Sequence, residues 1–532
     1  MVAEARKDLA VLIDAAPRTL ADQHKWQLWE QNAPLELDEY LHLCGRADTV
    51  QREKRTALKA YEDRDDARPM IDLGPDRSRF AEAYDRSRHA PTLDGYLRYL
   101  ADTCPAVLSA LVRHEDGLDL GDAFAENMRE EHTHLLAGRG SGKSELLKLL
   151  IHHYVKHPQL GAVVVLDPHN DLARAISRWR EFDQDPERLV YLDMTLSPEH
   201  YPALNPLSLR GLSMVERSEF ADLMADAIEA FSASRTMTDN MRTLARNGLR
   251  VALEGDTASL ADLRRMLGNE QRNPLARAIM DRARKHPELG EWFRDAFEDQ
   301  SLNTSKAGLA ARLDDVLTRP KVGRALRAAD PINLEALCDS RKVVVVGLAG
   351  EGGEEIGRLL LAQLLIIGRR RQTQAGKPRV PIHVFVDEGQ RFIGTVAVKI
   401  MNELRKSGVR FTLAHQSLSQ FESPALREQV WDASGIKILG ATDDRMALDR
   451  LLGETSAHIP KYEFAVRWGM VGREGVVRLK TPHDFLRGTQ NDMAPKRHAA
   501  LMAQQLARYY RPLDEPQAAP PAPDGGHGFE LL

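Results

Sequence analysis

Three cysteines in 532 residues, Cys44, Cys104 and Cys338, are too few and too far apart for a disulfide framework or a cysteine-based metal site. Their scarcity suits a reducing cytoplasm. Long apolar runs are also lacking. The most extended, Leu359–Ile367 (LLLAQLLII), is interrupted by Gln363 and bounded by Arg358 and Gly368. A membrane-spanning helix needs about 18 such residues, so the sequence predicts no intrinsic span and a core helix here. The N-terminus, MVAEARKDLAVLIDAAP, carries acidic residues and too short an apolar stretch for a signal peptide. A surplus of positive charge is missing too, since the net charge is −5. That excludes a protein coated in basic residues. It does not exclude one whose contacts with nucleic acid are confined to a few positions.

What is present is an ordinary globular composition, 43% hydrophobic, in a chain long enough for two or three domains. Residues 1–117 are charged, with helical spacing and breaks at Gly74-Pro75 and Ala90-Pro91, and read as a helical N-terminal domain. From His132 continuous apolar runs alternate with amphipathic stretches: HTHLLAG before SELLKLLIHHYVKH, then AVVVLD before LARAI. That alternation predicts a parallel sheet covered on both faces. It pauses after Asn205-Pro206, where helical patterns follow one another and Ser259 with Asp262 forms a capping box. It resumes at KVVVVGLAG, IHVFVDEGQ, FTLAHQS and IKILGA. The expected organisation is an α/β domain over 118–208 and 336–510, an inserted all-α subdomain over 209–335, and a Pro/Gly-rich disordered tail over 511–532.

Two motifs carry chemistry. Ala137–Ser144 (AGRGSGKS) fits the phosphate-binding loop, with Ala137 where glycine is more usual. Gly138, Gly140 and Gly142 let the backbone curl so that N–H groups, including those of Arg139 and Ser141, face phosphate oxygens. Lys143 reaches the outer phosphates of ATP, and the Ser144 hydroxyl ligates Mg²⁺. The following helix adds its N-terminal dipole. VFVDEGQ delivers Asp387 and Glu388 at the carboxyl end of an apolar strand, where open α/β sheets bind ligands. Asp387 would hold Mg²⁺ through water, and Glu388 would polarise the attacking water. Lys143 and Asp387 are 244 positions apart (387 minus 143). The helical insertion accounts for the excess.

Other polar clusters have bland readings. Asn170 or Asp171 in LDPHND would cap the next helix. His132, His134, His152 and His153 lack a matching carboxylate or cysteine and read as helix and strand residues. The basic run Gly368–Arg379, and Arg319, Lys321, Arg324 and Arg327, either touch nucleic-acid phosphates or sit as solvated helix ends.

The ordered set THLLAGRGSGKS, VVVLDPHNDLARAI, YPALNPL, VVVVGLAGEGGEEIGRLLLAQL, HVFVDEGQRF, MNELRKSGVRFTLAHQSLSQ and GIKILGATDD, spanning about 118–485, resembles the HerA/FtsK superfamily of ring ATPases. Within it the chain looks like the type IV coupling proteins that pump DNA in conjugation. The resemblance implies a RecA-like P-loop fold, ATP with Mg²⁺, a homo-hexamer with ATP at subunit interfaces, sequence-independent DNA, and relaxase or secretion-channel partners. It implies a cytoplasmic location, peripheral at the inner membrane through those partners. It also carries over Gln416 as the polar sensor and Arg405 as the arginine finger from the neighbouring subunit, with Arg410 as the alternative. An arginine at a helix C-terminus is otherwise an ordinary solvated cation, and Gln416 a buried glutamine serving backbone groups. Two further roles share these motifs: an ATPase energising protein export or assembly, and an ATPase scaffold partnering a nuclease or defence effector. Typical coupling proteins begin with membrane helices, which this sequence does not present.

Overall fold

The computed structural model describes residues 113–114, 117–118 and 131–514, apart from short internal stretches. Of the expected N-terminal helical domain only Arg113, His114 and Gly117 are described, within a short antiparallel strand pair rather than a helix, and its remainder, residues 515–532 of the tail and Arg405 lie outside the described residues. In chain order the strands that matter are β1 (Thr133–Leu136), β2 (Ala162–Asp167), β3 (Leu189–Asp193), β4 (His200–Pro202), β5 (Val343–Gly347), β6 (Ile382–Val386), β7 (Val409–His415), β8 (Ile436–Gly440), β9 (Glu463–Trp468), β10 (Val476–Lys480) and β11 (Tyr510–Pro512). All six strands expected from the apolar runs are present.

The chain forms two compact units. One contains the described residues up to Lys156 with those of 412–422 and 434–490. Its strands run β10–β9–β8–β1–β7, the last through Thr412–His415. β8, β1 and β7 are parallel, while β9 and β10 are antiparallel additions. Helix α1 (Lys143–Lys156) follows β1.

The second unit has the parallel order β6–β2–β5–β3. Its strands read as unbroken apolar runs because they are buried on both faces: every residue of β2, β3, β5 and β6 is buried. A fully buried valine stabilises by about 1.5–3 kcal/mol, which makes such strands the mechanical base of the fold. Register brings Asp167, Gly347 and Asp193 level at the carboxyl end. Leu166 pairs with Val386, so Asp387 emerges beside Asp167. The outer edge of β3 is closed by helix Pro495–Tyr509, whose Gln505 accepts from Tyr191 N (2.8 Å) and donates to Leu189 O (3.1 Å), as a neighbouring strand would. The chain then continues into β11, antiparallel to β4. Ordered strand therefore runs through Arg511 and Pro512, into the stretch expected to be tail.

Between Met214 and Asp339 the described elements are helical, including α2 (Met214–Glu229), α3 (Asp239–Ala252), α4 (Leu260–Met266), α5 (Pro274–Lys285) and α6 (Asn303–Leu317). The Ser259/Asp262 capping box opens α4, and an unforeseen one, Ser213/Glu216, opens α2. Phe220, Leu223, Met224 and Ile228 form the buried face of α2, whereas Met214, in its first turn, is exposed. The run Leu359–Ile367 lies within α7 (Gly353–Thr373) and is buried, with Gln363 among its buried polar groups. Among the described residues no helix is long and apolar enough to cross a membrane.

Candidate nucleotide site

The glycine-rich loop is built wholly within the first unit. β1 delivers it, and its entry is pinned on both sides. Ala137 N donates to His415 O (3.1 Å), and Gly138 N donates to Ala441 O (2.8 Å). A Cβ on Gly138 would come within 3.0 Å of that same carbonyl oxygen. Gly140 has φ +73° and Gly142 φ +99°, conformations that L side chains rarely adopt. Gly142 has a second reason to lack a side chain, because its Cβ would lie 2.6 Å from the Tyr462 ring. Tyr462 itself sits at φ +64° and donates its N–H to Ser141 O (2.7 Å). Lys143 begins α1 and is buried, Ser144 beside it is exposed, and Arg139 and Gly140 form the exposed tip. The Ser141 hydroxyl is buried and has no hydrogen-bond partner among the described residues. Left-handed glycines, a lysine at a helix start and the N-terminal end of that helix together make a cradle suited to phosphate.

Behind the loop, β1 and β7 are joined by two histidines. His134 and His415 meet Nε2 to Nε2 at 2.8 Å, both buried, with Phe421 edge-on to His415. Burial first, then the positive Lys143, pushes the His415 pKa down to about 3. Burial first, then His415 and Lys437, holds His134 well below the ordinary value. Both rings are therefore neutral at physiological pH, with one donating to the other. One residue on, Gln416 is half-buried, and its backbone N–H is held by Gln420 Oε1 (3.0 Å). Gln420 also accepts from Ser417 N (3.1 Å), and Ser417 Oγ donates to Asp444 (2.9 Å).

The acidic pair belongs to the second unit. Asp387 N donates to Leu166 O (3.1 Å), which extends the ladder by one residue and fixes where the carboxylates leave the sheet. Glu388 is buried and left-handed, φ 49° and ψ 48°. A non-glycine residue there costs of order 1–3 kcal/mol, and such strain clusters at functional sites. Glu388 N donates to Asp387 Oδ1 (3.0 Å), and Gln390 Nε2 donates to Glu388 Oε2 (2.7 Å). Asp167 lies alongside. Burial raises its pKa, backbone N–H groups of Ala173 and His169 oppose the rise, and the negative Asp387 adds to it.

Asp167, rather than Asn170 or Asp171, serves the start of the next helix: it accepts from His169 N and Ala173 N, each at 2.9 Å. Asn170 makes no cap bond. Fully buried and left-handed (φ 65°), it donates to Asp193 (2.8 Å) and Thr195 (3.2 Å) and accepts from Ala349 N (2.9 Å). It thereby ties together the chain segments leaving β2, β3 and β5. Gly347 makes room for it, since a Cβ there would lie 2.6 Å from Asn170 Oδ1.

Six described members of the two basic groups are engaged within the protein. Arg369 pairs with Glu219 (3.1 Å), Arg370 with Glu335 (3.0 Å), and Arg371 with Asp339 and Val380 O. Arg319 pairs with Glu355 (2.9 Å), while Lys321 donates to Met194 O (3.0 Å) and Arg327 to Gly323 O (2.7 Å). These contacts favour the structural reading of both basic groups. Arg410, the alternative finger, is a half-buried residue of β7. Tyr462, Gln390, the histidine pair and the Asn170 clasp were not singled out by sequence. Only Gln390 carried a signal, its place two residues after Glu388.

Two family models match the chain: "Helicase HerA, central domain" over residues 124–355, and "TraM recognition site of TraD and TraG" over 381–460. No curated protein sequence matches it significantly. Among solved structures it is similar to the bacterial conjugative coupling protein TrwBdeltaN70, at 14% identity over 70% of this chain and 90% of that one, TM-score 0.48. TrwB in complex with ADP and Mg²⁺ matches at 14% identity over 70% and 91%, TM-score 0.49. VirB4 of Thermoanaerobacter pseudethanolicus matches at 16% identity over 73% and 96%, TM-score 0.42. The two family matches fall in order and contain the expected motifs, the first spanning Ala137–Ser144 and the second Asp387, Glu388 and Gln416, and the chain resembles the HerA-type P-loop ATPases and the TraD/TraG coupling proteins.

Proposed function

We propose that this protein hydrolyses ATP and uses the energy to move DNA through a homo-hexameric ring, as the coupling ATPase of a conjugative or type IV secretion system. The carrying observation is the loop Ala137–Ser144, with Gly140 and Gly142 at positive φ and Lys143 at the start of α1. It stands in a chain that matches both the HerA and the TraD/TraG models. The loop's N–H groups and Lys143 hold the triphosphate, while Ser144 and, through water, Asp387 would hold Mg²⁺. When bound, that ion would supply positive charge to offset the phosphates. Glu388 orients the attacking water and takes its proton. Gln416 senses the outermost phosphate, and Arg405 reaches the neighbouring subunit's site. DNA is held through its backbone, with no base-reading element. The ring works at the cytoplasmic face of the inner membrane, docked through relaxase and channel partners.

The test is steady-state ATP hydrolysis by the full chain, with and without random-sequence single- and double-stranded DNA. Stimulation by at least one DNA form is expected. Lys143→Ala and Glu388→Gln should each lower kcat by more than about 100-fold, the scale on which removal of a charge-stabilising or proton-accepting group is felt. Hydrolysis indifferent to every DNA form would remove the translocation part of the reading. Full turnover in Glu388→Gln would remove the hydrolytic part.

A further inference from the structure

The turn that follows β6 holds an amide whose orientation is dictated by its neighbour. Gln390 Nε2 donates to Glu388 Oε2 at 2.7 Å. An ionised carboxylate only accepts hydrogen bonds, so the nitrogen must face it and the amide oxygen must face away. That oxygen, Gln390 Oε1, is buried and has no hydrogen-bond partner among the described residues. A buried acceptor without a donor is costly, and proteins retain such groups where a ligand or water completes them. The surrounding backbone is equally constrained. Glu388 is held left-handed, its N–H on Asp387 Oδ1 and its carbonyl accepting from Arg391 N (2.9 Å).

We infer that Gln390 positions the Glu388 carboxylate and presents Oε1 as the second acceptor for the attacking water. The inference rests on the hydrolytic reading above. A water molecule has two O–H bonds, and its lone pair points steadily at phosphorus only when both are held. Glu388 holds the first and takes that proton as the new O–P bond forms and the bond to the nucleoside diphosphate breaks. The second hydrogen stays on the oxygen, now part of the released phosphate, still directed at Gln390 Oε1. A neutral amide suits this place, because a second carboxylate would compete for the proton and repel the phosphates.

The experiment compares Gln390→Leu, Gln390→Glu and Glu388→Gln in the full chain. It measures kcat across pH, affinity for a fluorescent ATP analogue, and Tm. Gln390→Leu is expected to lower kcat about 10- to 100-fold, the cost of a misplaced reacting group, with ATP affinity and Tm close to those of the parent. Gln390→Glu is expected to move the acidic limb of the pH–kcat profile upward, because a neighbouring negative charge raises the Glu388 pKa. A merely structural side chain would not move that limb. Gln390→Leu with parental kcat, beside a Glu388→Gln that is dead, overturns the inference while leaving hydrolysis at Glu388 intact. A loss of kcat that follows a fall in Tm and recovers on cooling overturns it as well. If Glu388→Gln turns over normally, the hydrolytic reading fails first and takes this inference with it.

Discussion

The histidine pair shows how much one side chain can decide. His415 joins the strand before the glycine-rich loop to the strand before Gln416, with a backbone bond to Ala137 and a ring bond to His134. The price is a pair that must stay neutral, since the His415 pKa lies near 3. The unfolded chain titrates near 6.5. Between those values the unfolded state binds more protons than the native one, so stability falls as pH drops from 6.5 towards 3, by up to about 1.4 kcal/mol per pH unit for one histidine. Replacing His415 with leucine should therefore have two effects. At pH 7.5 it should cost about 1–3 kcal/mol, since it removes the hydrogen bond at buried His134 Nε2. Between pH 6.5 and 5 it should flatten the decline in urea midpoint. A variant whose decline is as steep as the parent's would show that His415 does not carry the proton linkage. None of this was legible in LAHQ or THLL. Which two of the chain's 18 histidines meet depends on strand order, which no local pattern contains.

At the scale of elements, local pattern did better. Apolar runs located β1, β2, β5, β6, β7 and β8, most plainly β2 and β5, whose valines are buried on both faces and leave almost no polar positions to blur them. β3 (LVYLD) is equally apolar and as long as β5, β6 and β8, yet it was not among the expected strands. β9 and β10 alternate polar with apolar residues, so continuous runs do not reveal them. The caps divided by the same logic. Ser259/Asp262 was readable because a capping box is a spacing of residue types. LDPHND misled because Asp167, Asn170 and Asp171 are all good caps, and only the fold decides which one a neighbouring strand claims. Asn170 is claimed by Asp193, Thr195 and Ala349. Two substitutions separate its contributions. Asn170→Gly keeps the left-handed backbone and loses the amide, at an expected cost of about 2–3 kcal/mol for the buried hydrogen bonds. Asn170→Ala loses the amide and adds the left-handed penalty, about 1–2 kcal/mol more. Equal urea midpoints for the two variants would mean that backbone strain at this position is relieved by local rearrangement.

At the scale of the whole molecule, the decisive question is whether one chain completes its own site. Arg405 is proposed to act on a neighbour, and Glu388 on its own nucleotide. The two assignments make a joint prediction that neither makes alone. Arg405→Ala subunits have an intact Glu388 but give nothing to the next subunit. Glu388→Gln subunits are dead in their own site but still supply Arg405 to a neighbour. Each variant by itself should be nearly inactive, since a trans arginine contributes about 10³–10⁵ in rate in related phosphoryl-transfer enzymes. Mixed one to one in random rings, about a quarter of interfaces would pair an intact Glu388 with an intact Arg405. ATPase activity should then recover to about a quarter of the parent rate, given independent sites, in the stoichiometric logic of a finger supplied in trans. An arginine acting within its own chain leaves every mixed ring dead, because no subunit carries both intact residues. The measurement is ATP turnover against mixing ratio, with co-assembly followed by differently sized tags. Recovery that peaks at equal proportions supports a ring with shared sites. Co-assembled rings that stay inactive at every ratio would leave the arginine in cis, and would remove the mechanical reason for one subunit's hydrolysis to drive the next.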